Sequence, residues 1–257
     1  MRTALITGGA QGIGAAVARK FLSEGFSGVL LVDRNAEKLV AVQEQIGKGA
    51  EIYTGDLRDG GTPAGAVAKA IKSFGRLDVL VNAAGNTERC GIADTTPEAF
   101  DRLFEVNVKA PLFMMQEAAK HMVAAKSGVI INVASMLAHG GPPNLATYSA
   151  SKSALMTLSR NAGNTFKRDG VRVFCINLGW ALTDGEHELQ TTFHKLPQSW
   201  AEDIGARMPF GRLITSDDVA GLCAFLVSPP AQMMTGAVID YEQMPLGTFD
   251  SHPALSP

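Results

Sequence analysis

"TALITGGAQGIGAAVARKFLSEGFSGVLLVD", residues 3–33, is the stretch on which the fold turns. "TALIT" (3–7) is a short aliphatic run. A glycine-rich turn follows, then a segment with helical periodicity over 12–24, then a second aliphatic run, "GVLLVD" (28–33). Strand, tight turn, helix and strand within about thirty residues describe a βαβ unit. Both runs are continuous rather than alternating, which suits strands buried on both faces of a parallel sheet.

The same grammar repeats along the chain. Further aliphatic runs stand at 50–56, 77–85, 128–135, 171–179 and 236–241, with helix-like segments at 35–46, 62–74, 97–124, 147–169 and 216–227. Thr62, Thr96 and Ser216 read as N-caps, with Pro63 and Pro97 in the first helical turn. The alternation predicts an α/β fold: a doubly wound Rossmann-type domain over 1–257, with about seven parallel strands and helices on both faces. Residues 183–212, interrupted by Pro197, Pro209 and Gly211, read as a substrate lid. The tail 242–257 is proline-rich and aperiodic.

Hydrophobic residues make up 46% of the 257, enough for a sizeable core, and the net charge is −2. Basic and acidic residues are interspersed, so no nucleic-acid surface is expected. No apolar run is long enough to span a membrane. The N-terminus enters a strand pattern at once, without a signal-peptide pattern. Cys90, Cys175 and Cys223 are odd in number and far apart, as free thiols of a cytoplasmic protein would be.

The turn "TGGAQGIG" (7–14) carries the first chemistry. Gly8, Gly12 and Gly14 let backbone approach a pyrophosphate, and the following helix start offers free N–H groups to it. Asp33 ends the second strand 19 residues after Gly14. A carboxylate there can accept hydrogen bonds from the adenosine ribose and repel a 2′-phosphate. Its neighbour Arg34 could grip such a phosphate. Asp33 favours NAD, with NADP the less favoured cofactor.

Thr7-Gly8-x-x-x-Gly12-Ile13-Gly14, "NAAG" at 82–85 and Tyr148-x-x-x-Lys152, in that order, resemble the short-chain dehydrogenase/reductase family over residues 3–241. The resemblance implies cofactor contacts by Gln11 and Ile13 in the glycine turn, by Asp56 and Leu57 at the adenine, and by Asn82, Ala83, Ala84 and Gly85 after the fourth strand. Asn82 would also tie strands together. Gly179 and Thr183 would lie beside the nicotinamide. Leu178 stands where the family usually has proline. The resemblance further implies a catalytic set of Asn107, Ser135, Tyr148 and Lys152, an activity on CH–OH groups, and a homodimer or homotetramer.

Residue chemistry supports the same set. Ser135 ends a strand, where open parallel sheets bind ligands, 13 residues before Tyr148. Tyr148 and Lys152 share one helix face, and an ammonium there is expected to lower the tyrosine pKa from its usual value of about 10. By family analogy Asn107 would hold a water that links Lys152 to solvent. Ser149, Ala150 and Ser151 keep bulk low between the pair. Leu137, His139, Asn144, Leu145 and Trp180 are the substrate-pocket candidates. With Glu186, His187, Glu188 and His194 of the lid, they lean towards a small hydroxylated substrate: a sugar, polyol or sugar acid. No metal is expected, because the lid histidines match no standard zinc spacing. The alternatives are an NADP-dependent reductase, for example of 3-oxoacyl thioesters, and a non-enzymatic dinucleotide sensor.

Overall fold

The computed structural model describes residues 2–247. Most of the tail expected at 242–257 therefore lies outside the described residues. Seven strands form one parallel sheet: β1 (Thr3–Thr7), β2 (Gly28–Asp33), β3 (Ala50–Thr54), β4 (Val79–Asn82), β5 (Gly128–Val133), β6 (Val171–Leu178) and a last strand, Ala237–Tyr241. Their spatial order is β3-β2-β1-β4-β5-β6 and then the last strand. Chain order reverses between β1 and β4, which opens a crevice at the strand C-termini.

The continuous aliphatic runs are split by the strand pleat. Ala4 and Ile6 of β1, Val29 and Leu31 of β2, and Val79 and Val81 of β4 face one layer. Leu5, Leu30, Val32 and Leu80 face the other. The first layer is α1 (Gly12–Ser23), α2 (Ala36–Ile46) and a helix at Ser216–Leu226. The second is α3 (Thr62–Phe74), α5 (Ala110–Ala124) and α6 (Ala146–Phe166), with α4 (Pro97–Phe104) leading into α5.

Three sequence expectations change in detail. The helix expected over 97–124 is interrupted by a π-turn at Glu105–Lys109, which separates α4 from α5. Gly61, not Thr62, caps α3, and the Thr62 hydroxyl instead donates to the Asp56 carbonyl at 2.7 Å. Thr215, not Ser216, caps the helix Ser216–Leu226, through a reciprocal capping box with Asp218. In both cases the capping group sits one residue earlier than expected.

Residues 183–212 are ordered by contacts made within and around the segment. They contain α7 (Asp184–Glu188), a π-turn at Leu189–Phe193 and α8 (Trp200–Gly205). A two-stranded parallel ladder, β7 (Ala181–Leu182) against β8 (Ile214–Thr215), clamps the segment's two ends together. The helix Ser216–Leu226 is then α9, and the last strand Ala237–Tyr241 is β9. Trp200 is 2% exposed and stacks on Trp180, with ring centroids 5.8 Å apart. Its indole N–H donates to His187 Nδ1 at 3.1 Å.

Candidate active site

A cleft of about 1490 Å³ runs along the C-terminal edge of the sheet. One end is built by the glycine turn. A Cβ on Gly8 would sit 2.9 Å from the Ala84 nitrogen, and one on Gly14 would run into the Gly8 carbonyl. Those two glycines let the turn close against the β4 loop and against itself. Gly12 has φ +51° and a Cβ there would meet Thr183, so it keeps the floor of the cleft low. α1 begins without a capping side chain and without an acid in its first turn, whereas α2, α4 and α9 have both. An uncapped helix start facing a cleft suits a pyrophosphate, whose oxygens take the free N–H groups. The residues present therefore fit a dinucleotide.

Asp33, Arg34, Asp56, Leu57, Gln11, Ile13, Ala83, Ala84, Gly85, Gly179 and Thr183 also line the cleft. Asp33 Oδ1 accepts the Asn35 N–H at 3.0 Å, which orients the carboxylate at the strand end. Asp56 makes a bidentate pair with Arg58 at 2.6–3.1 Å. That guanidinium holds its carboxyl below the usual range. Gln11 accepts from Lys38 Nζ at 2.7 Å. Asn82 is placed differently: it is buried behind the cleft wall, and its side chain donates to Asn132 Oδ1 at 2.8 Å across the β4–β5 pair. It is a tie between strands and makes no wall of the cleft. Leu178 continues β6 and packs in the core, so the strand runs one residue further than a proline would favour.

At the other end Ser135, Tyr148 and Lys152 converge on the cleft. Lys152 is 4% exposed, and its Nζ donates to the Val133 carbonyl at 2.9 Å while lying 5.8 Å from the centre of the Tyr148 ring. Gly85 leaves space beside this ammonium, since a Cβ there would sit 3.5 Å from Nζ. Asn107, in the π-turn, donates to the Ser151 hydroxyl at 3.0 Å, and Ser151 donates to the Tyr148 carbonyl at 2.7 Å. Asn107 is thus held behind the cleft and fastened to the helix that carries the pair. The extra residue of a π-turn is a recurrent device at functional positions.

The tyrosine pKa runs against the sequence expectation. Burial pushes Tyr148 up to about 12, with the nearby Ser135 hydroxyl pulling it down and the Glu186 carboxylate pushing it further up. Burial pushes Lys152 down to about 8. Desolvation dominates both shifts, because each side chain is almost wholly buried at the cleft end of α6.

Of the substrate-pocket candidates, Leu137, Leu145 and Trp180 line the cleft. His139 and Asn144 do not. His139 Nε2 lies 3.1 Å from Asn177 Nδ2 and 3.2 Å from Asp240 Oδ1, on the β6–β9 side, and Asn144 is exposed outside the cleft. Both are corrections to the expected pocket. Gly140, at φ +128°, turns the chain just after His139. Residues not expected there include Arg89, from the loop after β4, and Glu242, after β9. A Cβ on Gly179 would strike the Glu242 carboxylate, so that glycine lets an acid reach the cleft. Loop residues without periodicity or motif spacing carried no signal for either. From the segment 183–212, Glu186 enters the wall with Gln190 and His194. Its Oε1 accepts from Trp180 Nε1 at 2.9 Å and Gln190 Nε2 at 2.7 Å.

Comparison with known proteins agrees with this geometry. The chain is 36% identical to the sorbitol dehydrogenase of Cereibacter sphaeroides over 237 residues, covering 90% of this chain and 91% of that one. The structure is similar to YwfH, an NADPH-dependent reductase involved in bacilysin biosynthesis, with a TM-score of 0.87 and 28% identity over 98% of this chain and 99% of that one. It is also similar to an NAD⁺-bound xylitol dehydrogenase, with a TM-score of 0.85 and 26% identity over 95% and 98% of the two chains. The family model for short chain dehydrogenase matches residues 2–193. The chain belongs to the short-chain dehydrogenase family, as an oxidoreductase that binds a nicotinamide dinucleotide and acts on alcohol or carbonyl groups of small molecules.

Proposed function

We propose that the protein is an NAD-dependent dehydrogenase of a secondary alcohol in a sugar, polyol or sugar acid. The observation that carries the substrate class is the polar part of the cleft wall, where Glu186, Gln190, His194 and Glu242 line the same cleft as Tyr148. Such a wall suits a substrate with several hydroxyls and disfavours a long acyl chain. The sorbitol and xylitol dehydrogenases among the similar proteins support the same class. The choice of NAD rests on Asp33, whose carboxylate ends β2 inside the cleft. NAD, held by the glycine turn and Asp33, would supply the hydride acceptor.

In this reading Ser135 holds the substrate oxygen and Tyr148 Oη takes the hydroxyl proton as hydride leaves the same carbon. Lys152 keeps an ammonium behind the phenol and steadies the nicotinamide ribose. Asn107 holds the loop and helix that position both. We read residues 183–212 as the lid over this site. The exposed Leu112 and Phe113 of α5 form an outer apolar face, which fits assembly into a homodimer or homotetramer. The three free, buried cysteines fit a cytoplasmic setting.

A second reading, an NADP-dependent carbonyl reductase, draws support from Arg34 and Arg58 in the cleft wall near Asp33 and Asp56, and from the likeness to an NADPH-dependent reductase. Initial rates with alditols, aldoses and aldonates, each with NAD and NADP, separate the two. Oxidation of polyhydroxy substrates with NAD supports the first reading. Turnover of a 3-oxoacyl thioester with NADPH, and none of the polyhydroxy panel, replaces it with the second.

A further inference from the structure

Among the described residues, four buried side-chain polar atoms lack a hydrogen-bond partner. The two nitrogens in this set are Arg89 Nε and His194 Nε2, and both residues line the cleft. They reach it from different walls: Arg89 from the loop between β4 and α4, His194 from the lid. Buried polar groups are almost always paired, since an unpaired one forfeits its hydration without return. The Arg89 Nε itself is shielded, but the rest of its guanidinium also has no hydrogen-bond or ion-pair partner among the described residues and lines the cleft, where it can meet an acceptor brought by a ligand.

The other cations of the cleft wall near the loop are engaged. Lys38 donates to Gln11, Arg58 pairs with Asp56, Arg102 pairs with Glu88 and Lys152 donates to Val133. Arg34 stands at the far end, beside Asp33. Among the described residues, Arg89 alone is a guanidinium of the cleft wall without a partner at the end where Tyr148 lies. Its position there follows from its neighbours. Cys90 packs with Leu145, Tyr148 and Leu137, and Thr95 joins its hydroxyl to that of Thr147 at 2.7 Å. The loop that carries Arg89 is therefore pinned to the helix that carries Tyr148.

We infer that the substrate is a polyhydroxy acid, with its carboxylate held by Arg89 on the loop side and its hydroxyls turned to Glu186 and Gln190 on the lid side. A guanidinium matches a carboxylate in shape and charge. Glu186 repels an anion and welcomes hydroxyl donors: its Oε1 already takes two donors, and Oε2 takes none among the described residues. The opposed charges on the two walls set the substrate's direction in the cleft, so the acid end is kept from the lid.

The inference rests on the polyhydroxy-alcohol reading, and the matched pair D-gluconate and sorbitol tests it, because they differ only in a carboxylate for a hydroxymethyl. In steady-state assays with NAD, kcat/KM is expected to be at least tenfold higher for gluconate, and Arg89→Gln to shrink that ratio at least tenfold. Arg89→Lys, which keeps the charge but not the fork, should retain part of it. Calorimetric titration of gluconate into the protein saturated with NADH reads binding without turnover. It should show at least tenfold weaker binding in Arg89→Gln, with sorbitol as the neutral control. Equal use of the two substrates, or a ratio indifferent to Arg89→Gln, overturns the carboxylate seat and leaves the dehydrogenase reading standing. Gluconate binding through Arg89 with no oxidation of any polyhydroxy compound does the reverse.

Discussion

Asn107 makes two hydrogen bonds to the backbone of one residue, Asn86: its Oδ1 accepts the Asn86 N–H at 2.8 Å and its Nδ2 donates to the Asn86 carbonyl at 2.8 Å. The side chain thus imitates a strand partner for a loop that has none. It fixes the loop leaving β4 to the π-turn, and through Ser151 to the helix carrying Tyr148. Replacing it with alanine leaves two partly buried backbone groups of Asn86 without this partner. Asn107→Ala should lower stability by about 2 kcal/mol and reduce kcat more than it raises KM. Urea unfolding and steady-state kinetics check both.

Tyr148→Phe keeps the ring that packs with Leu145 and Cys90 and removes only the hydroxyl. Turnover should fall by about 10²–10⁴, the usual span for a lost general acid or base. Cofactor binding, followed by NADH fluorescence, should change little. Retention of most of the turnover would disprove the role given to the tyrosine.

Lys152 gives a pH prediction of definite sign. Burial lowers its folded-state pKa to about 8, below the unfolded value of about 10.4. The unfolded chain therefore binds more protons between those two values, and the cost of burying the charge is full below pH 8 and fades towards pH 10.4. Lys152→Met should be inactive yet more thermostable than the wild type at pH 7. The gap should narrow as pH rises from 8 to 10, as read by thermal unfolding in a pH series. A gap that widens over that range contradicts the assignment.

Asp33 should set the cofactor. Asp33→Ser removes a charged acceptor, and hydrogen bonds to charged groups are worth about 1.5–3 kcal/mol. Affinity for NAD should fall by about ten- to a hundredfold, while NADP binding should improve because the repelling charge beside Arg34 is gone. Dissociation constants for both reduced cofactors measure the switch.

Gly179 and Glu242 should behave as a coupled pair. Gly179→Ala pushes the Glu242 carboxylate out of the cleft wall. Each single variant, Gly179→Ala and Glu242→Ala, should alter KM for the alcohol. The double variant should look like Glu242→Ala alone, because the displaced group is already missing. Additive effects in the cycle would show that the contact does not matter.

Much of this molecule is legible in its sequence, for local reasons. Aliphatic runs such as "GVLLVD" determine strands because both faces are covered, and pleating then assigns Val29 and Leu31 to one layer and Leu30 and Val32 to the other. Ordered motifs locate Gly8, Asp33, Ser135, Tyr148 and Lys152 because each sits at a strand end, a helix start or one turn along a helix, where spacing alone sets direction. Tertiary structure decided the rest. His139 is turned away to Asp240 and Asn177, while Arg89 and Glu242 are brought in, by loops whose paths depend on contacts distant in sequence. The π-turn at Asn107 and the capping shift to Thr215 depend on which backbone groups find partners after packing. The pKa directions of Tyr148 and Lys152 were decided the same way. Spacing states that the two groups are neighbours, but only the packed fold states how much water both have lost.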